Sequence, residues 1–346
     1  MQSNEAATTL ASVAASAGVS IATVSKVLNG RGDVGPTTRA RVQRLLHEHE
    51  YVGRRVESDR RVLAVQPTVE LVIHGRLSSY STAILQGVLD AATEVGVAVA
   101  VSVRPRQRAT AAVRPAAWVR QLAKAGRRAV IDVVDDVRQG DLAALSRAHL
   151  PLVVIDPLNL PSRQVTSVGA TNFAGGVAAT EHLLSLGHRR IAYMGADAAF
   201  AFNQARMHGY RAALEAAGVD VPAGYIRSAS SHFQAGVTGG TDLLNLPHRP
   251  TSIVAASDEI AAGVIEAARV KALRVPENLS VVGFDDTEIA RLLSPPLTTV
   301  RQPLREMGRV ALRTALRLAA GQELDSHHVE LATELIVRSS TAPLTG

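Results

Sequence analysis

Acidic and hydroxyl side chains close three apolar runs of this 346-residue chain: Asp156 ends "LPLVVID", Ser257 ends "SIVAAS" ahead of Asp258, and Asp285 and Asp286 end "SVVGFDD". Short apolar runs of this kind read as buried strands, and in open α/β sheets ligands bind outside the carboxyl ends of the strands. Each of these residues serves equally well as a helix N-cap or a turn former. Their shared position at strand ends is what points to a site. Covalent chemistry finds no comparable support. The chain has no Cys, hence no thiolate nucleophile or metal ligand, and no G-x-x-x-x-G-K-[ST], H-E-x-x-H or G-x-S-x-G. No G-x-G-x-x-G follows the first expected strand, and neither catalysis, a cofactor nor a metal is expected.

A second group of polar residues lies near the N-terminus, in "SAGVSIATVSKVLNG" (16–30). Leu10, Val13, Ala14 and Ala17 fall at helical spacing, with Thr9 as N-cap and Gly18 where a helix ends in a left-handed residue. Ser20 supplies a new N-cap, and Val24, Val27 and Leu28 repeat at i, i+3, i+4. A third helix opens at Pro36 and buries Val42, Leu45 and Leu46. Two helices so closely joined form a helix-turn-helix, whose second helix can enter a major groove. Ile21, Ala22 and Lys26 lie toward its exposed side. The same spacing also suits a three-helix bundle without a ligand, in which Ser20, Thr23 and Ser25 cap or face water.

The elements that must carry the strand-end residues alternate regularly from about residue 69. The strands "VELVIH", "VAVAVSV", "AVIDVV" and "LPLVVID" are separated by helices over 80–95, 114–125 and 139–149. A second series starts near 168: helices 172–186, 202–217, 234–245 and 259–271, interleaved with "RIAYMG", "YIRS", "SIVAAS" and "SVVGFDD". Two doubly wound parallel-sheet lobes facing each other make a cleft. Following the first strand into the cleft places Ser78 and Ser79 beside it. His327 and His328 accompany a C-terminal strand. The net charge of +6 rests almost wholly on Arg, and residues 1 to 62 hold nine basic and six acidic side chains, which weakly favours a nucleic-acid partner. The Arg-rich stretch 103–120, which has no acid, reads as a loop and solvated helix face with Trp118 turned inward. The first residues lack the basic and apolar regions of a signal peptide, and no apolar run approaches the ~20 residues that span a bilayer. The chain is therefore expected in the cytoplasm, at the nucleoid.

The stretch "TLASVAASAGVSIATVSKVLNG" (9–30) resembles the lactose-repressor (LacI/GalR) family of bacterial transcription regulators. Ser12, Lys26 and Gly35 stand where that family commonly has Asp, Arg and Ser. The resemblance implies that Ser20, Thr23, Ser25 and Asn29 hold phosphates while Ile21, Ala22 and Lys26 face base edges. It extends to "VGATNFAGGVAATEHLLSLGHRRIAYMG" (168–195), "RMHGYRAALEAAG" (206–218), "SDEIAAGVIEA" (257–267) and "SVVGFDDTEIARLLSPPLTTVRQP" (280–303). These look like the family's effector domain, which is similar to periplasmic sugar-binding proteins. By that likeness Arg206 projects into the cleft with Asp156, Ser257 and Asp285, a set suited to the hydroxyls of a sugar. Asp258 is counted with them, and Phe233 is either an apolar face for a sugar ring or a core residue. Thr171 departs from the Asp usual before Asn172.

The implied organisation is an all-α helix-turn-helix domain (1–56), a hinge (57–66) and a periplasmic-binding-protein-like α/β effector and dimerisation domain (67–346). Lobe 1 covers about 67–167 and 301–325, and lobe 2 about 168–300 and 326–346. In the hinge region, "YVGRRVESDRRVLAV" lacks the family's usual Pro-Asn and its Leu wedge. Arg54, Arg55 and Arg60 there either follow the DNA groove or belong to a polar linker. The implied function is a DNA-binding transcriptional regulator, a repressor and homodimer on a roughly palindromic operator, controlled by a sugar or sugar derivative. A purine or nucleoside effector is the alternative within the class; a solute-binding protein or a sugar-converting enzyme is the alternative outside it.

Overall fold

The computed structural model describes residues 10–28, 34–48, 67–104, 115–134, 139–158, 165–230 and 232–344. The chain divides between Gln66 and Pro67 into two compact units.

The first unit contains α1 (Leu10–Ala17), α2 (Ile21–Leu28) and α3 (Pro36–Glu48). Gly18, at φ +63°, ends α1, with its N–H donating to Ala15 O at 3.2 Å and the Val19 N–H to Ala14 O at 3.1 Å. This pair of bonds satisfies carbonyls that the helix end would otherwise leave open. Ser20 then caps α2, its Oγ accepting from the Thr23 N–H at 3.2 Å. The interrupted helix of the sequence is thus a tight turn, and Val13, Ala14, Ala17, Val24, Val27 and Val42 close a small core beneath it.

The second unit begins with β1 (Thr68–His74), α4 (Ser79–Val95), β2 (Ala98–Arg104), α5 (Pro115–Lys124), β3 (Arg127–Val133), α6 (Gln139–Arg147), β4 (Leu152–Ile155) and β5 (Thr166–Ala170). It continues with α7 (Asn172–Ser185), β6 (Ile191–Gly195), α8 (Ala201–Ala216), β7 (Ile226–Ser228) and α9 (Phe233–Leu244). After these come β8 (Ser252–Ala255), α10 (Asp258–Val270), β9 (Ser280–Asp285), α11 (Glu288–Leu292) and β10 (Thr298–Arg301). It closes with α12 (Leu304–Ala319), β11 (His328–Leu331) and β12 (Glu334–Ile336). In this unit the expected helices and strands lie within two residues of these bounds.

Two six-stranded sheets result, ordered β11-β5-β4-β3-β1-β2 and β12-β10-β9-β8-β6-β7. All pairings are parallel except β10 with β12. In the first lobe α4 and α12 cover one face of the sheet and α5 and α6 the other; in the second, α7 to α10 enclose a larger core. Strands covered on both faces are buried throughout, as in β6 and β8. The chain passes between lobes after β5, after β10 and after β11. Two of these points correct the expected bounds: β5 runs to Ala170 and β11 to Leu331 within the first sheet, not the second. An apolar run identifies a strand, but not the sheet whose edge it joins.

Three helix pairs meet backbone to backbone, each through a glycine on either side: Gly87 with Gly308, Gly176 with Gly209, and Gly236 with Gly263. A Cβ on Gly263 would lie 2.2 Å from Phe233 O. Gly263→Ala must therefore push α9 from α10, and we expect it to cost ~1–3 kcal/mol, read as a lowered thermal unfolding midpoint. An unchanged midpoint would show that these helices separate freely.

Candidate functional site

The carboxyl ends of both sheets border a cavity of about 310 Å³ lined from both lobes. The backbone turns sharply at these ends: φ is +58° at Val134, +46° at Asp156, +113° at Asp285 and +53° at Asp286. Left-handed conformations in non-glycine residues are costly and concentrate at binding sites.

On the first lobe, Ser78 and Ser79 border the cavity at the start of α4. Ser78 is an N-cap, its Oγ accepting from the Ser81 N–H at 3.3 Å while Ser81 Oγ accepts from the Ser78 N–H at 2.8 Å. Tyr80, next along, donates its hydroxyl to Asp156 Oδ2 at 2.5 Å. Burial raises the Asp156 carboxyl above its usual range, against the bond from Tyr80 and the charge of Arg206. His74 also borders the cavity and is tied to Asp132 at 2.8 Å.

On the second lobe Arg206 is 3% exposed. Its Nε donates to Asn172 Oδ1 at 2.7 Å and its Nη1 to Ala256 O at 2.5 Å, with Asp285 Oδ1 at 3.6 Å. The ring of Phe284 lies 3.7 Å from its central carbon and that of Phe202 5.1 Å. Gln302 donates to Asp285 Oδ1 at 2.7 Å. Burial pushes the Asp285 carboxyl up, Arg206 opposes, and the neighbouring Asp258 and Asp156 add to the rise. Ser257 borders the cavity and caps α10, accepting from the Ile260 N–H at 3.2 Å. Arg76 and Glu259 join the two lobes by an ion pair at this cavity.

Ser78, Ser79, Asp156, Arg206, Ser257 and Asp285 are thus brought to one cavity. Asp258 corrects the expectation. Its Oδ2 accepts from Thr287 N at 2.7 Å and Thr287 Oγ1 at 2.9 Å, and its Oδ1 from Thr299 Oγ1 at 2.5 Å. It braces the loop after β9 and does not line the cavity. Phe233 is 42% exposed and also lies off the cavity wall. Asp286 turns away to Arg301 at 2.7 Å and Arg338 at 2.5 Å. Sequence reasoning missed Tyr80, Asn172, Glu259, Gln302 and the paired rings of Phe200 and Phe202, whose centroids are 5.4 Å apart.

In the first unit Ile21, Ala22 and Lys26 share an exposed side of α2, with Ile21 52% exposed, and Ser20 is exposed beside them. Thr23 and Ser25 are half-buried. Asn29, Arg54, Arg55 and Arg60, and with them the whole expected hinge, lie outside the described residues.

A helix-turn-helix followed by a two-lobed α/β unit with an interlobe cavity defines a class of ligand-responsive DNA-binding regulators. The chain belongs to the lacI family of bacterial regulatory proteins. Residues 9–53 match that family's domain, and residues 180–341 match a periplasmic binding protein-like domain. The chain is 33% identical to the HTH-type transcriptional regulator CelR of Thermobifida fusca over 339 residues, covering 96% of this chain and 98% of that one. Among solved structures it resembles a CelR–cellobiose complex (TM-score 0.70, 30% identity, 96% of this chain and 99% of that one). It also resembles the lac repressor dimer bound to operator and the anti-inducer ONPF (TM-score 0.70, 26% identity, 97% and 100%).

Burial raises the Asp258 carboxyl to about 6 despite its bonds from Thr299 and Thr287. Because the folded protein holds this proton more tightly than the unfolded chain, the stabilisation is present below pH ~4 and is lost as pH rises to ~6. We expect Asp258→Asn, though less stable overall, to lack this loss, worth ~2–3 kcal/mol. Denaturant unfolding of both proteins across pH 4–7 reads the difference; parallel curves would contradict it.

Proposed function

We propose that the chain is a repressor that acts as a cytoplasmic homodimer on a roughly palindromic operator, and that a sugar in the interlobe cavity changes its operator affinity. It regulates and does not catalyse. Ile21, Ala22 and Lys26 read base edges, and Ser20, Thr23, Ser25 and Asn29 hold phosphates, with arginines 54, 55 and 60 following the groove. The observation that carries the reading is the cavity itself. Its walls come from both lobes, so a ligand that touches Asp156 on one and Arg206 and Asp285 on the other favours one lobe geometry. The CelR–cellobiose complex, similar over nearly the whole chain, supports a sugar. The rings of Phe200 and Phe202 on the wall favour a second reading, a nucleoside whose base they would stack.

Differential affinity of this kind amounts to ~5–150-fold in operator binding. Fluorescence anisotropy with an operator selected from random DNA, with and without cellobiose as the first sugar tried, tests the two sites separately. Lys26→Ala should lose ~1–3 kcal/mol and relax preference at one symmetric pair of bases. Arg206→Ala should bind operator as the parent does but ignore the sugar, with Arg206→Lys as a control that keeps the cation. If Arg206→Ala responds normally, the cavity is not the effector site. If Lys26→Ala weakens all sequences equally, Lys26 contacts phosphate.

A further inference from the structure

We infer that the two-lobed unit holds a second small-molecule site, where the chain crosses between the lobes, and that this site takes an organic amine: an ammonium group joined to an apolar body.

A second cavity, of about 370 Å³, adjoins the first and shares with it only Asp156 and Phe202. Its walls are β5 and β11 on one lobe and the starts of α7 and α8 on the other. Asp156 divides its oxygens between the two cavities. Oδ2 accepts from Tyr80, which lines the first, while Oδ1 lies over Gly169, which lines the second; a Cβ on Gly169 would stand 3.3 Å from it. Asp156 is 4% exposed, and its Oδ1 accepts no hydrogen bond among the described residues. A carboxyl oxygen taken out of water in this way calls for a donor. Glu330 adds a second carboxyl to the same wall, in no ion pair among the described residues, and its charge contributes to the upward shift of Asp156. No described Arg or Lys lines this cavity, and His328, the one basic side chain on its wall, is bonded to Ser167 Oγ at 3.1 Å. Arg206 lines only the first cavity and faces Asp285. An ammonium group offsets the repulsion between the two carboxyls and donates to Oδ1. Most of the remaining wall is apolar. Phe173, 50% exposed, and Phe202 bring aromatic rings that suit both a cation and the carbon body attached to it. The wall includes two of the three places where the chain passes between lobes, so a bound amine touches both lobes at once.

Ligand-observed NMR titration of the full chain with phenethylamine, phenethyl alcohol and phenylacetate, which are similar in size and differ in charge, tests this. The amine should bind ~10-fold more tightly than either of the others. Glu330→Gln should remove most of that preference, and Phe173→Ala should weaken the amine ~2- to 5-fold. Both positions are exposed, so the fold tolerates the changes. Equal affinity for the alcohol or for phenylacetate overturns the charge class of the ligand. Amine affinity that is the same in the parent and both variants places the ligand elsewhere and overturns the second site. Failure of the amine to bind at millimolar concentration overturns both. The titration uses neither sugar nor DNA, so the effector reading stands or falls separately.

Discussion

The buried guanidinium of Arg206 organises the ligand-facing side of the second lobe. A permanent charge taken out of water must be met by hydrogen bonds and counter-charge, or it destabilises the fold by several kcal/mol. The partners of Arg206 come from three separated places: Asn172 at the start of α7, Ala256 after β8, and Asp285 at the end of β9. Meeting that one requirement brings these chain segments to a common point. The ring of Phe284 gives the flat cation a face to rest on. Even its backbone is placed by close packing, because Gly176 of α7 approaches Arg206 O so nearly that a Cβ there would lie 2.2 Å away.

The first lobe solves a different problem with a different device. Asp156 follows β4 with a left-handed backbone, and Tyr80, two residues past the cap of α4, anchors one of its oxygens. The second lobe thus presents a cation bonded through Nε and Nη1, and the first an acid whose Oδ1 accepts no hydrogen bond among the described residues. Arg76 and Glu259 tie the lobes together at the cavity. The strained turns at Asp156, Asp285 and Asp286 are held in place by the bonds of those same side chains.

Most of the architecture was legible because it depends on local periodicity. Helices and strands follow the spacing of apolar residues, and Gly18 and Ser20 mark a turn by their own conformational preferences. Asp258 shows the limit. Its place just past a strand matched that of Asp156 and Asp285, yet strand ends say nothing about which way a side chain turns, and Thr287 and Thr299 captured it. Tyr80 and Asn172 were missed for a related reason. Each acts through a partner 76 or 34 residues away, so no local pattern marks it; only the adjacency of Tyr80 to Ser79 could have suggested it. The arrangement of edge strands was equally invisible, since β5 and β11 are chosen by pairing, not by composition.

The three passages of the chain between lobes also set the order in which the protein can be completed as it is made. The helices α1 to α3 are all translated by Glu48. The first lobe, although it starts at β1, lacks α12 and an edge strand until Leu331 has emerged, and the second awaits β12, ending at Ile336. At ~5–20 residues per second the DNA-binding unit precedes a finished effector unit by roughly 15 to 60 seconds. A ribosome carrying this chain therefore displays a complete helix-turn-helix well before there is any cavity to govern it.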